Sequence, residues 1–170
     1  MENKKIEVIA NAFDIEGSIN NIEINGQGNI NQTYIISTNK NKYLLQKINV
    51  SVFKEPYLVM KNISLVTNYL NNKYKELNDN SHKTLEVIKT KDNSDLYVYT
   101  TEELYKEYYR MYIFLDNTVS YDGFQKLDNR LQIAYNAGLG FGNFARMLDE
   151  FPINEIKETI PNFHNTPSRF

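Results

Sequence analysis

The chain has 170 residues, a net charge of −2, and 41% apolar residues rich in tyrosine. That length holds one ordinary domain, or one small lobe and the beginning of another, and the composition suits a packed core rather than a disordered tail. Acids and bases are interspersed, which argues against nucleic acid and anionic membranes as partners, and the absence of cysteine excludes disulfides and thiolate zinc sites. No run is apolar enough for a signal core or a bilayer span, so cytoplasm is the expected compartment.

Ile6, Val8, Ile9, Ala12 and Phe13 are spaced for a short helix lying against a sheet and ending near Gly17. Ile19, Ile22 and Ile24 then form a first strand, and Ile30 to Ser37 a second. Between them lies Asn-Gly-Gln-Gly-Asn-Ile-Asn31, with glycines at Gly26 and Gly28. A Walker or Rossmann loop would lead into a helix, whereas Thr33-Tyr-Ile-Ile-Ser37 is β-branched and aromatic; strand, glycine loop, strand is the protein-kinase order. Without a Cβ the backbone can approach phosphate oxygens, where each N–H bond to an anion is worth about 1.5–3 kcal/mol. A plain hairpin turn accounts for the same residues.

Thr38 to Lys42 is a polar turn, and Tyr43-Leu-Leu-Gln-Lys-Ile48 a third strand. In the kinase arrangement this strand supplies a basic residue to the phosphates. Lys47 is the candidate and Gln46 the alternative, because a register change of one residue exchanges the two faces. Lys54-Glu-Pro56 opens a helix whose apolar stripe runs through Val59, Ile63, Val66, Leu70, Tyr74 and Leu77. Asn62 could hydrogen-bond inward midway along it, but Glu55 and Glu76 stand at its ends, so no acid is placed to pair with a strand lysine.

Three further strand-like runs follow, Leu85 to Thr90, Leu96 to Thr100 and Tyr108 to Leu115. The turn residues Lys91 to Asp95 predict that the first two pair antiparallel. His82 lies in a loop without a second ligand and reads as solvated rather than metal-bound. After the polar break at Asp116-Asn-Thr118, the stripe Leu127, Leu131, Ala134, Gly138, Phe141, Ala145 and Leu148 predicts a helix from about Phe124 to Glu150, roughly 40 Å long. Gly138, Gly140 and Gly142 follow a helical run, not a strand, and read as sites of close helix packing. Glu158 to Phe170, with two prolines, is irregular.

Four motifs now carry a resemblance. Gly-Gln-Gly-Asn-Ile-Asn-Gln-Thr-Tyr34, Leu-Leu-Gln-Lys-Ile-Asn49, Val52-Phe with Asn62-Ile63, and Glu-Thr-Ile-Pro-Asn-Phe-His-Asn-Thr-Pro167 resemble the N-acetylhexosamine 1-kinases of the aminoglycoside phosphotransferase and choline kinase superfamily. The resemblance implies an α+β fold: a protein-kinase-like N-lobe with an antiparallel sheet of five to six strands and one covering helix, then the first helices of a truncated C-lobe. It implies a nucleotide lobe over 1–115, a hinge at 116–118 and the start of a helical lobe over 119–170. It assigns cofactor contacts to Gly26, Gly28, Asn29, Ile30, Asn31, Thr33, Gln46, Lys47, Asn62, Leu115 and Asp116, and acceptor contacts to Asn29, His164, Asn165 and Arg169. Asn29 stands where the family's loop has histidine, which leaves the sugar open.

The implied activity is transfer of the ATP γ-phosphoryl group to the anomeric hydroxyl of an N-acetylhexosamine, using ATP and Mg2+. Family members continue for about as many residues again, and no His-x-Asp-x-x-x-x-Asn pattern occurs here, so the catalytic aspartate and metal ligands are expected outside this chain. The chain alone should not turn over. The alternative is a non-catalytic short form that binds a nucleotide or a partner. An uncovered apolar stripe in the last third would favour self-association through 119–170.

Overall fold

The computed structural model describes residues 2–26, 30–79, 82, 84–118, 121 and 128–169. Helix α1 (Glu2–Ala10) precedes strands β1 (Ile19–Asn25), β2 (Gln32–Thr38) and β3 (Lys42–Lys47); then come α2 (Pro56–Glu76), β4 (Val87–Ile88), β5 (Tyr97–Thr100), β6 (Lys106–Ile113) and α3 (Arg130–Met147). Two 3-10 turns, Ile153–Glu155 and Thr166–Arg169, lie near the end. The six strands form one antiparallel sheet in the order β1-β2-β3-β6-β4, with β5 also paired to β6. This is the α+β sheet with a covering helix after the third strand that the sequence predicts.

Strand alternation sends residues to two faces. On one, Tyr34, Ile36, Tyr43, Leu45, Tyr109 and Met111 bury against Ile6, Ile9 and Ala10 of α1 and against Phe13. At about 1.5–3 kcal/mol for each large apolar side chain buried, this layer is the main source of stability. Val8 does not share it and is 59% exposed, because a helix turns only its Ile6, Ile9 and Ala10 side to the sheet. The helix ends at Ala10, and Phe13 makes a bridge to Thr90 instead of extending it. On the other face Ile48 and Leu96 pack under Met60 of α2, flanked by Phe53, Ile63, Val87 and Tyr108.

The pairing of β4 with β5 is corrected. Both strands lie end to end along β6, β4 opposite Met111 and Tyr112 and β5 opposite Lys106 to Tyr109. The turn between them does close, Thr90 N–H to the Ser94 carbonyl at 2.7 Å with Asn93 at φ 61°, but β6 takes the strand hydrogen bonds on either side of it. Gly17 is needed where it stands: its φ is +87°, and a Cβ there would come within 2.2 Å of Asn39 Oδ1, which accepts a hydrogen bond from Ser18 N–H.

Helix α3 is described from Arg130, so the expected start at Phe124 and the first stripe residue, Leu127, lie outside the described residues. Its packed side is also different. Leu131 and Phe141 are about four-fifths exposed, while Met147 is buried and Phe144 and Leu148 line a cavity of about 660 Å3 with Leu70 and Tyr74 of α2. Added Cβ atoms at Gly138, Gly140 and Gly142 would meet nothing within 4 Å, so these glycines do not serve close helix packing within the described chain.

Candidate functional site

The β1–β2 turn begins at Gly26 and ends at Ile30 and Asn31; Gly28 and Asn29 lie outside the described residues. Its base is tied to the end of β3: Asn49 N–H donates to Asn31 Oδ1 at 3.0 Å, and the Asn49 amide donates to the Ile30 carbonyl at 3.3 Å. Beside this base, cross-strand register aligns Asn25, Thr33, Gln46 and Arg110 in one row across β1, β2, β3 and β6. Arg110 Nε donates to Gln46 Oε1 at 3.0 Å, and Gln46 Nε2 donates to Thr33 Oγ1 at 3.2 Å. Since a guanidinium can only donate, the Gln46 oxygen must face Arg110 and its NH2 must face Thr33, which fixes the amide's orientation.

Gln46 shares its face with Ile48, the face covered by α2, whereas Lys47 shares its face with Leu45, the face covered by α1. There Lys47 Nζ meets Glu107 Oε1 at 2.6 Å, Lys5 meets Glu107 Oε2 at 2.5 Å, and Tyr109 O–H donates to Oε2 at 2.8 Å. The acid that Lys47 pairs with therefore comes from the adjacent strand β6 rather than from the helix. Of the two residues on β3 that could face the α2 side, geometry selects Gln46, with Arg110 beside it. Burial lowers the Arg110 pKa, and its guanidinium carbon lies 5.4 Å from the Tyr112 ring centre, a cation–π contact.

No family model matches the sequence. The chain is similar to two solved structures, the microcompartment-associated aminopropanol kinase at a TM-score of 0.48 and 8% identity, covering 69% of this chain and 33% of that one, and the spectinomycin phosphotransferase APH(9)-Ia in complex with ADP and spectinomycin, at a TM-score of 0.44 and 11% identity, covering 72% and 31%. The chain spans about a third of the length of each.

The remaining sequence candidates are dispersed. Asn62 does not turn inward; its Nδ2 donates to the Lys157 carbonyl at 2.7 Å and its Oδ1 accepts from Lys157 N–H at 3.2 Å, so it holds the late segment onto α2. Leu115 and Asp116 line a groove of about 760 Å3 with Phe114, Asn71, Thr84 and Glu86. Asp116 also lies 3.9 Å from Lys42. Asn165 is taken up locally, donating to Asn162 and accepting from Ser168 N–H, while the His164 ring stands edge-on to Phe163. Arg169 closes the last 3-10 turn, and its side chain lies outside the described residues. His82 is not simply solvated: it stacks on Tyr74 at 5.6 Å and its Nδ1 is 2.7 Å from Asp79. Among the described residues no three His, Asp or Glu side chains gather as metal ligands, and no helix is long and apolar enough to cross a membrane.

Sequence reasoning missed Arg110 and Glu107. Both were legible as period-two alternation in Lys106-Glu-Tyr-Tyr-Arg-Met-Tyr-Ile113, where Glu107 falls with Tyr109 and Met111, and Arg110 with Tyr108 and Tyr112. What the sequence could not supply was the neighbouring strand.

Proposed function

We propose that the chain is the nucleotide-binding lobe of an ATP-dependent phosphotransferase for a small hydroxyl acceptor, the sequence resemblance favouring an N-acetylhexosamine. The observation that carries this reading is the position of the glycine turn, whose base adjoins the Thr33, Gln46 and Arg110 row on the α2 face. In this reading 1–115 is the lobe, 116–118 a hinge and 119–170 the start of a second lobe. Leu115 and Asp116, at the wall of the groove, would meet the base, and Gly26, Ile30 and Asn31, at the ends of the turn, would lie beside the phosphates. ATP supplies the phosphoryl group and magnesium neutralises its charge. This chain's own part is to bind and orient the nucleotide, the contribution of positioning and fixed dipoles to such a reaction. The base that takes the acceptor's proton, and the metal ligands, are assigned outside the chain. Calorimetry with MgATP, together with an assay for sugar 1-phosphate, tests the reading. Binding without transfer to N-acetylglucosamine or N-acetylgalactosamine is the expected result. Absence of ATP binding would remove the nucleotide assignment, and transfer by the purified chain would show that a catalytic base lies within it.

A further inference from the structure

We infer that Arg110, not Lys47, is the cation that receives the anionic oxygens of a polyphosphate ligand in this lobe, and that Gln46 and Thr33 set its direction. The inference rests on the nucleotide-lobe reading for the class of ligand, and on side-chain geometry for the site.

Lys47 is committed elsewhere. It lies on the α1 face, on a carboxylate that also holds Lys5, and reaching the α2 face would require crossing the sheet. Arg110 is in the opposite situation. Its Nε is used by Gln46, but among the described residues no carboxylate pairs with it and nothing accepts from its two terminal nitrogens. Both terminal nitrogens are therefore open to solvent rather than sealed in the core, where a charged, bidentate acceptor such as a phosphate can take them. The fork is also held in advance, since Thr33 orients Gln46 and Gln46 orients Arg110.

The spacing suits a nucleotide. Arg110 and Phe114 are four residues apart on β6 and its extension, about 13 Å at 3.3 Å per residue. A base in the groove beside Phe114 and Leu115 would therefore send an extended phosphate chain toward the row that adjoins the glycine turn.

Titration calorimetry of the 170-residue chain with tripolyphosphate, ATP and adenosine tests the inference, using wild type, Arg110→Gln, Gln46→Glu and Lys47→Gln. Gln46→Glu keeps the arginine but gives it a carboxylate partner, so it decides the matter if Arg110→Gln fails to fold. Tripolyphosphate and ATP should each bind about tenfold or more weaker to Arg110→Gln and Gln46→Glu, from the loss of charge-assisted hydrogen bonds. Adenosine binding should be unchanged, and Lys47→Gln should lower the melting temperature while keeping anion affinity. Wild-type affinity for tripolyphosphate and ATP in the Arg110 and Gln46 variants, or its loss in Lys47→Gln, overturns the inference. Arg110-dependent binding of tripolyphosphate without binding of ATP or adenosine leaves the anion site standing and removes the nucleotide reading. Binding of neither ATP nor tripolyphosphate by the wild type overturns both.

Discussion

Glu107 holds two lysines and a tyrosine hydroxyl at once, which ties α1 to the middle of the sheet through Lys5. Burial by itself would raise its pKa, but hydrogen bonds from Lys47, Lys5 and Tyr109 outweigh that and hold it at about 2, below the ordinary 4.5. Burial and the nearby carboxylate push the Tyr109 hydroxyl upward, so it stays a donor across the working range. A carboxylate with a depressed folded-state pKa contributes stability that is present above its unfolded value and is lost as pH falls through the folded one. The window here runs from about 4.5 down to about 2. With solvent screening the contribution is on the order of 1–2 kcal/mol. Glu107→Gln should therefore lower the urea midpoint at pH 7 and flatten the fall in stability between pH 4.5 and 2, both read from denaturation curves. An unchanged slope through that window would show that Glu107 does not carry the acid sensitivity.

Helix α3 joins good helix formers to three glycines at alternate positions, Gly138, Gly140 and Gly142. Nothing in the described chain needs their missing side chains, since a Cβ would meet open space at each. They therefore weaken the helix by roughly 1 kcal/mol each relative to alanine. Gly138→Ala combined with Gly142→Ala should raise helicity and the melting temperature, measured by circular dichroism. A fall in either would mean that this face packs closely against another helix. At the other end of the same region, Asn62 clasps both backbone groups of Lys157, and Lys73 pairs with Glu150. Replacing Asn62 with alanine should cost at most about 1 kcal/mol, since water can pair the two exposed backbone groups it frees, and speed proteolysis near residue 157.

At the scale of the molecule, the sheet is covered on both faces, but α3 presents Leu131, Tyr135, Leu139 and Phe141 to solvent. Large apolar side chains left open in this way favour contact with another apolar surface. At about 25 cal/mol per Å2, covering several hundred Å2 supplies many kcal/mol before the entropy of association is subtracted. Self-association through this helix is the expected outcome at micromolar concentration, and Leu131→Glu with Phe141→Glu should reduce it in light scattering. Leu148 is left unchanged, because it faces α2. A monodisperse wild type would contradict the expectation.

Local pattern was enough for the elements whose order is set by neighbours in the chain. Alternation and turn chemistry located β1 to β3, the Pro56 start placed α2, and the β-branched run after the glycine turn separated a hairpin from a strand–helix phosphate loop. Pairings between distant segments were not legible in this way. The choice between Gln46 and Lys47 depended on which helix covers which face, the destination of β4 and β5 on the length of β6, and the buried side of α3 on the groove offered by α2. A strand specifies two faces by its period, but only contact with other elements decides which face meets solvent, core or ligand. That is why the strand order around the turn could be read from the sequence, while Arg110 came into view only when β6 was laid beside β3.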